Sequence, residues 1–460
     1  MQMSIAMAIE EKDLDNLEKR QAFTITVIGL TRNGLLLAYL LAEAGFKTIA
    51  VDKNHSIIDS LRNGNAPFLE KEFNTLIKKH TKNGCLTFTN DIKDASSKSD
   101  VTLLFVQTLI DRKKKPDYSH IERACKEVGA NMRKGCLIIL ASTIGVGLTK
   151  RLVKEKLENA SGMKAGIDFG LAYSPIRISP ESNFKGFATT STFVSAVNEQ
   201  NLRASCNILN TTMKVKTIRI KEIKTAEIVD LFKNAFHDVN IALANEFAQF
   251  CEKVEVDFME IQNLANSYSN CHLPTPRITR EQISKASFLL LEEATMADAR
   301  LPLLTLAGKV NDEMLRHAFH LVIDGLRACN KTMRRAKISI LGVSCRANMK
   351  EPYSSSTRKL VNLMKRKGML IRVYDPLFSY KELVDKGYPA ERTLKNTVEQ
   401  TDCLVITVGH DQFKRLNLKK IKILAKKSVA IVDMSYVIDP EKAVKEGFVY
   451  RGLGRGIVIK

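Results

Sequence analysis

The chain has no tryptophan, and its 460 residues include only 11 prolines and 23 glycines. That scarcity excludes collagen-like and Pro/Gly-rich low-complexity character. Long hydrophobic runs are also missing. The longest, 101–106 (VTLLFV) and 136–141 (CLIILA), are strand-length, against about 20 apolar residues for a membrane helix. The opening MQMSIAMAIEEKDLDNLEKR has no basic segment followed by an apolar core, so neither a signal peptide nor a membrane partner is expected. Nine cysteines are scattered without paired spacing, which argues against a disulfide framework or a metal site and for a reducing cytoplasm. Acidic residues are in deficit, 50 against 71 basic, leaving a net charge of +21. Such a balance favours anionic partners. The basic runs 112–115 (RKKK), 365–367 (KRK) and 419–427 (KKIKILAKK) lack interleaved aromatics. They match no nucleic-acid motif, so they read as solvated faces and no nucleic-acid partner is expected.

What is present is globular: 45% hydrophobic and 26% charged residues, in a chain long enough for two or three compact units. After a charged, helical-looking extension over 1–22, residues 23–29 (FTITVIG) read as a buried strand. A glycine turn and an apolar helix over 35–44 follow, with Gly45 as its C-cap. Further strands are expected at 47–52, 101–106 and 136–140, with helical patterns between them. Alternation of this kind means right-handed βαβ units and a doubly wound parallel sheet. From about 222 to 325 the pattern turns helical, and 222–254 contains no Pro or Gly. Alternation resumes with strands at 337–343, 370–374, 402–408 and 429–433. The expected architecture is α/β: two Rossmann-like domains, 23–205 and 331–460, joined by a helical region over 206–330. That region has more apolar positions than one flank could cover, so a homodimer through its long helix is expected.

The first βα turn is GLTRNG, residues 29–34. A dinucleotide turn reads G-x-G-x-x-G, with glycines for the tight turn, the pyrophosphate and the helix–sheet contact. Gly29 and Gly34 fill the first and third places, and Thr31 stands at the second. Its side chain is expected to intrude where a phosphate would meet bare backbone. Asp52 ends the second strand, where a carboxylate takes the adenosine ribose hydroxyls of NAD. A Rossmann-like fold without nucleotide is the alternative at this point.

Several longer stretches carry a resemblance: VQTLID at 106–111, STIGVGLT at 142–149, LAYSPIRI at 171–178, and KNAFHDVNIALANEFAQFCEKVEVDFMEI at 233–261. VYDP at 373–376, DQFKRL at 411–416 and YRGLGRG at 450–456 complete it. In order and spacing the chain resembles the UDP-glucose/GDP-mannose 6-dehydrogenases, and within them the UDP-N-acetylmannosamine branch. The resemblance implies an NAD-binding domain, a dimerising central helix and a domain gripping UDP. It also implies oxidation of a sugar alcohol to a carboxylate with two NAD⁺, through a cysteine thiohemiacetal and thioester. In that chemistry a lysine and an asparagine stabilise oxyanions.

Carried over position by position, the resemblance puts the family's asparagine at Asn234. Its lysine position, one turn earlier, holds Asp230, so an anion replaces a cation. Between proline and arginine in SPIRI the family's glutamate is replaced by Ile176, while Arg177 is kept. Thr108 and Thr143 stand as cofactor contacts. In PTPRITREQISKAS, 274–287, the family's cysteine falls at Gln282, its histidine at Glu281 and its aspartate at Ala286. This stretch also reads as the start of a continuous helix that Thr279 could cap. A rival alignment makes Cys271, after which Pro274 and Pro276 follow, the displaced nucleophile. In the last domain Arg346 keeps a charge suited to phosphate, whereas Tyr353 replaces one arginine and the arginine that follows Val-Asp is replaced, leaving Met434-Ser435. Three readings stay open: the ordinary four-electron oxidation, a single two-electron hydride transfer with Asp230 or Glu281 as base, and a non-catalytic homologue. The last could be regulatory or a heteromer subunit beside an active relative. The implied ligands are NAD and a UDP-sugar, and surface polysaccharide synthesis is the implied setting.

Overall fold

A computed structural model describes residues 8–66, 72–111, 115–176, 192–278, 284–350, 355–425 and 428–456. The chain divides into two compact units, Met1–Asn234 with Lys285–Arg300, and Ala235–Ser284 with Leu301–Lys460.

In the first unit eight strands among the described residues form one sheet: β1 Thr24–Ile28, β2 Lys47–Val51, β3 Leu86–Thr89, β4 Val101–Leu104, β5 Leu137–Leu140, β6 Gly170–Tyr173, β7 Phe193–Ala196 and β8 Ile218–Arg219. Their spatial order is β8-β7-β6-β5-β4-β1-β2-β3. Every pairing is parallel except β6 with β7. β4, β5 and β6 are buried at every residue, as expected of parallel strands covered on both faces. Two apolar clusters provide that cover, one including Leu35, Leu36 and Phe46, the other Ile121, Val128 and Phe169. The strand order reverses between β1 and β4, so their carboxyl ends open a crevice there.

The first turn leads into α1, Arg32–Glu43, which starts three residues earlier than the apolar pattern alone indicates, because Thr31 acts as its N-cap. Over its described residues, 8–22, the extension before β1 is less helical than expected. It forms a short 3-10 turn, Glu11–Asp13, and a single helical turn, Leu17–Gln21. Ile9 and Leu14 are nevertheless buried, and Asn207 Nδ2 donates to the Ile9 carbonyl at 3.0 Å. A second helix of this unit, α2, spans Ser119–Gly129.

The middle of the chain is helical: α3 Ile223–Lys253, α4 Phe258–Ala265, α5 Lys285–Met296 and α6 Pro302–Ala328. The helix expected from Thr279 begins at Lys285, and 279–283 lie outside the described residues. α3 runs for 31 residues, uninterrupted because no Pro or Gly breaks its ladder. It is amphipathic in an inverted sense. At about 100° per residue, Glu227, Asp230, Asn234, Asp238 and Asn245 fall on one stripe, and all five are buried. On the opposite stripe Phe232, Phe236, Phe247 and Phe250 are 58%, 71%, 43% and 62% exposed.

The second unit carries five strands among the described residues, β9 Lys337–Leu341, β10 Leu370–Tyr374, β11 Cys403–Ile406, β12 Ala430–Asp433 and β13 Val449–Gly452. Their order is β10-β9-β11-β12-β13, all parallel. The order reverses between β9 and β11, which makes a second crevice at their carboxyl ends. α6 packs on β12 and β13. Helix α7, Ser355–Arg366, follows β9. Among the described residues no helix is long and apolar enough to cross a membrane.

Candidate functional site

At the first switch point a cleft of about 540 Å³ is lined by Gly29, Thr31, Asp52, Phe105, Gln107 and Arg123, among others. Gly29 sits at φ +100, and a Cβ there would stand 2.8 Å from the Phe105 carbonyl oxygen. A Cβ on Gly34 would approach the Gly29 carbonyl oxygen to 2.1 Å. Both positions therefore demand glycine, one for its backbone and one for helix–strand contact. Thr31 has φ −63, a conformation open to any residue, and its Oγ1 accepts from Gly34 N at 3.4 Å. The hydroxyl is turned back onto the helix start, although Thr31 still lines the cleft.

Asp52 lines the same cleft, with Oδ2 accepting from Leu30 N at 2.8 Å and Oδ1 from Asn54 N at 2.9 Å. Each carboxylate oxygen carries two acceptor sites, so the turn fixes Asp52 and leaves capacity for ribose hydroxyls. A tight glycine turn, a helix N-terminus and a fixed acid at a switch point fit a dinucleotide. NAD held there would supply a hydride acceptor at its nicotinamide.

Where β4 and β5 end, α3 grips the loop 142–149. Thr143 Oγ1 donates to Asp230 Oδ2 at 2.5 Å. Thr108 Oγ1 donates to the Thr143 carbonyl at 3.0 Å. Asn234 Nδ2 donates to the Asp230 carbonyl at 2.5 Å and contacts Asp230 Oδ1 at 3.4 Å. Four residues selected from the sequence, Thr108, Thr143, Asp230 and Asn234, thus meet in one network. Asp230 is fully buried there.

Glu227 is a further member that sequence reasoning missed. Its Oε1 accepts from Thr149 N at 2.9 Å and its Oε2 from Gly147 N. Burial pushes its carboxyl above the usual range despite the two amides. The signal was available: Glu227 stands three residues before Asp230, on the stripe that also holds Asn234. Beside it, Gly145 leaves room for Tyr118 and Glu293, since a Cβ would lie 2.7 Å from the Tyr118 hydroxyl and 3.0 Å from Glu293 Oε1. Burial raises the Tyr118 phenol, and Glu292 and Glu293 raise it further. Ile176 is buried, 2% exposed.

At the second switch point a smaller cavity, about 240 Å³, is lined by Arg277, Ser344, Arg346, Thr357, Thr407 and Ser435, among others. No carboxylate lines it among the described residues. Burial lowers the Arg277 pKa, Asp238 opposes that, and the charge on Arg346 lowers it again. Arg277 N donates to Asn245 Oδ1 at 2.9 Å, so the buried stripe of α3 positions it. Two guanidiniums and several hydroxyls facing one hollow suit a phosphate or pyrophosphate.

Arg177, Gln282, Glu281 and Tyr353 lie outside the described residues. Ala286 is buried in α5, 3% exposed. Cys271 is half-buried in the loop after α4, its backbone N donating to the Tyr268 carbonyl at 3.1 Å.

Residues 23–214 match the NAD binding domain of the UDP-glucose/GDP-mannose dehydrogenase family, 224–313 its central domain and 339–440 its UDP binding domain. The chain is 30% identical over 439 residues to UDP-N-acetyl-D-mannosamine dehydrogenase of Pyrococcus horikoshii, covering 94% of this chain and 100% of that protein. To the protein of the same name in Methanococcus vannielii it is 26% identical over 455 residues, covering 96% and 100%. The solved structure of the Pyrococcus horikoshii dehydrogenase matches with a TM-score of 0.85 at 30% identity, over 95% of this chain and 100% of that one. The cleft at the first switch point is thus that of an NAD binding domain, and the chain belongs to the UDP-glucose/GDP-mannose dehydrogenase family.

Proposed function

We propose that this chain binds NAD and a nucleotide sugar but does not carry the sugar alcohol through to the carboxylate. In this reading it is a non-catalytic or regulatory homologue of the dehydrogenases. The observation that carries the proposal is Asp230. At the position where the family resemblance puts a lysine, a fully buried carboxylate accepts the Thr143 hydroxyl. An oxyanion needs positive charge or donors aimed at it. At an effective dielectric of about 20, two charges about 4 Å apart interact by about 4 kcal/mol. Exchanging Lys for Asp reverses the sign of that interaction. The alignment also gives Gln282 at the cysteine position, and an amide supplies no thiolate.

The remaining roles belong to the same proposal. Gly29, Gly34, Asp52, Thr108 and Thr143 hold NAD in the domain 23–205. The residues proposed for the nucleotide sugar are Arg177 in 23–205, Asn234 in 206–330 and Arg346 in 331–460, with Arg346 and Arg277 on its pyrophosphate. The named relatives make a UDP-N-acetyl-hexosamine the first ligand to try. The exposed Phe232, Phe236, Phe247 and Phe250 of α3 support a dimer through that helix, either with a second copy or with an active relative. The setting proposed is cytoplasmic synthesis of surface polysaccharide.

The test is titration of the purified protein with NAD⁺, NADH and UDP-N-acetylmannosamine, following thermal stability and NADH absorbance together. Stabilisation by ligand without NADH is the expected result. Two NADH per sugar would overturn the proposal. A second reading rests on Glu227, a buried carboxylate with a raised pKa suited to proton transfer. It predicts one NADH per sugar and a two-electron product.

A further inference from the structure

Beneath the loop that carries Arg346, in the second unit, lies a buried polar cluster to which the proposed function assigns no role. His410, Ser344 and Asp375 are each 1% exposed. His410 Nδ1 accepts from the backbone N of Asn348 at 2.9 Å. That nitrogen therefore carries no proton, and the neutral ring must hold its hydrogen on Nε2. His410 Nε2 lies 3.0 Å from Ser344 Oγ and 3.3 Å from Asp375 Oδ2. Ser344 Oγ in turn lies 3.0 Å from the Arg346 carbonyl oxygen, which can only accept. The protons then run from Asn348 N–H to His410 Nδ1, from His410 Nε2–H to Ser344 Oγ with Asp375 Oδ2 as its second acceptor, and from Ser344 O–H to the carbonyl of Arg346.

All three contacts fall on one short loop, two residues before Arg346, at Arg346 and two residues after it. Asp375 Oδ2 takes the amides of Val343 and Ser344 at 2.7 and 3.2 Å, fixing the loop where it leaves β9. Asn348 sits at φ +59, a left-handed turn that asparagine tolerates. It is held reciprocally to Asp411 through Asn348 Nδ2 to Asp411 Oδ2 at 2.8 Å and Asp411 N to Asn348 Oδ1 at 3.0 Å. Phe413 packs edge-on to the imidazole, ring centroids 5.4 Å apart. The ring itself does not line the cavity, whereas Ser344 and Arg346 do.

We infer that His410 is a positioning residue for nucleotide-diphosphate binding. It clamps the 344–348 loop on both sides of Arg346 and so sets where that guanidinium meets the phosphates. The inference rests on the reading of the Arg277–Arg346 cavity as the diphosphate site.

The experiment is calorimetric titration of the full chain with UDP and, separately, with NADH, for wild type, His410→Ala, His410→Asn and Ser344→Ala. His410→Ala should weaken UDP by about tenfold, the worth of one or two buried hydrogen bonds, and leave NADH affinity unchanged. His410→Asn can offer an acceptor near the place of Nδ1 and should recover part of the loss. Ser344→Ala keeps the imidazole and removes the middle link together with one hydroxyl of the cavity lining. It should also weaken UDP selectively, and unchanged UDP affinity in it overturns the inference even if His410→Ala does not fold. UDP affinity unchanged in either alanine variant overturns the inference alone, as does a parallel loss of UDP and NADH binding. No UDP binding by the wild type overturns the reading of the cavity, and the inference with it.

Discussion

The Thr143–Asp230 contact can be tested as an energy. Asp230 is fully buried and accepts the Thr143 hydroxyl at 2.5 Å, while Thr143 is half-buried. A hydrogen bond to a charged group contributes about 1.5–3 kcal/mol. The partial exposure of Thr143 places Thr143→Val near the lower end, about 1.5 kcal/mol. For a body of this size each kcal/mol moves the melting temperature by about 2–4 °C, so the variant should melt about 3–6 °C lower. Asp230→Ala should cost more, because it also removes the acceptor beside Asn234. The double variant should then fall short of the sum by about 1.5 kcal/mol, the coupling of the pair. The chain has no tryptophan, so unfolding is best followed by near-UV dichroism of its tyrosines. Costs that add to within about 0.5 kcal/mol would refute the contact and the structural role given to Asp230.

Three further outcomes follow from the same structure. Gly34→Ala places a Cβ 2.1 Å from the Gly29 carbonyl oxygen; stabilisation by NADH in a thermal titration should disappear, while UDP binding persists. Burial alone would raise the Asp375 carboxyl, but the hydrogen bond from His410 and the amides of Val343 and Leu377 outweigh it, so its pKa is lowered. A depressed folded-state pKa contributes stability present above the unfolded value, about 3.9, and lost as pH falls through the folded one. Urea midpoints of the wild type should therefore drop below about pH 4, and Asp375→Asn should flatten that limb. Phe236→Asp with Phe250→Asp, on the exposed face of α3, should convert a dimer to a monomer in sedimentation without altering NADH affinity.

The parts of this fold legible in the sequence are those where burial repeats regularly. Continuous apolar runs marked β1, β2, β4 and β5 and four strands of the second sheet, because parallel strands are covered on both faces. The run 101–106 outlasts its strand, which ends at Leu104, since Phe105 and Val106 leave the sheet to line the cleft. β7 and β8 were not legible: one follows a turn of direction to pair antiparallel, and the other is two residues long and exposed. Glycines and Asp52 pointed to the first crevice because the backbone geometry of such a turn demands them. Glu227 escaped because a buried acid on a helix looks like any surface acid until its stripe is traced.

The most direct test of the central claim is the count of NADH formed per UDP-N-acetylmannosamine added to protein shown by calorimetry to bind both ligands. With Asp230 in the buried network and Gln282 aligned at the cysteine position, the expected count is zero, with binding intact. Two NADH per sugar, and a uronic acid product, would contradict it.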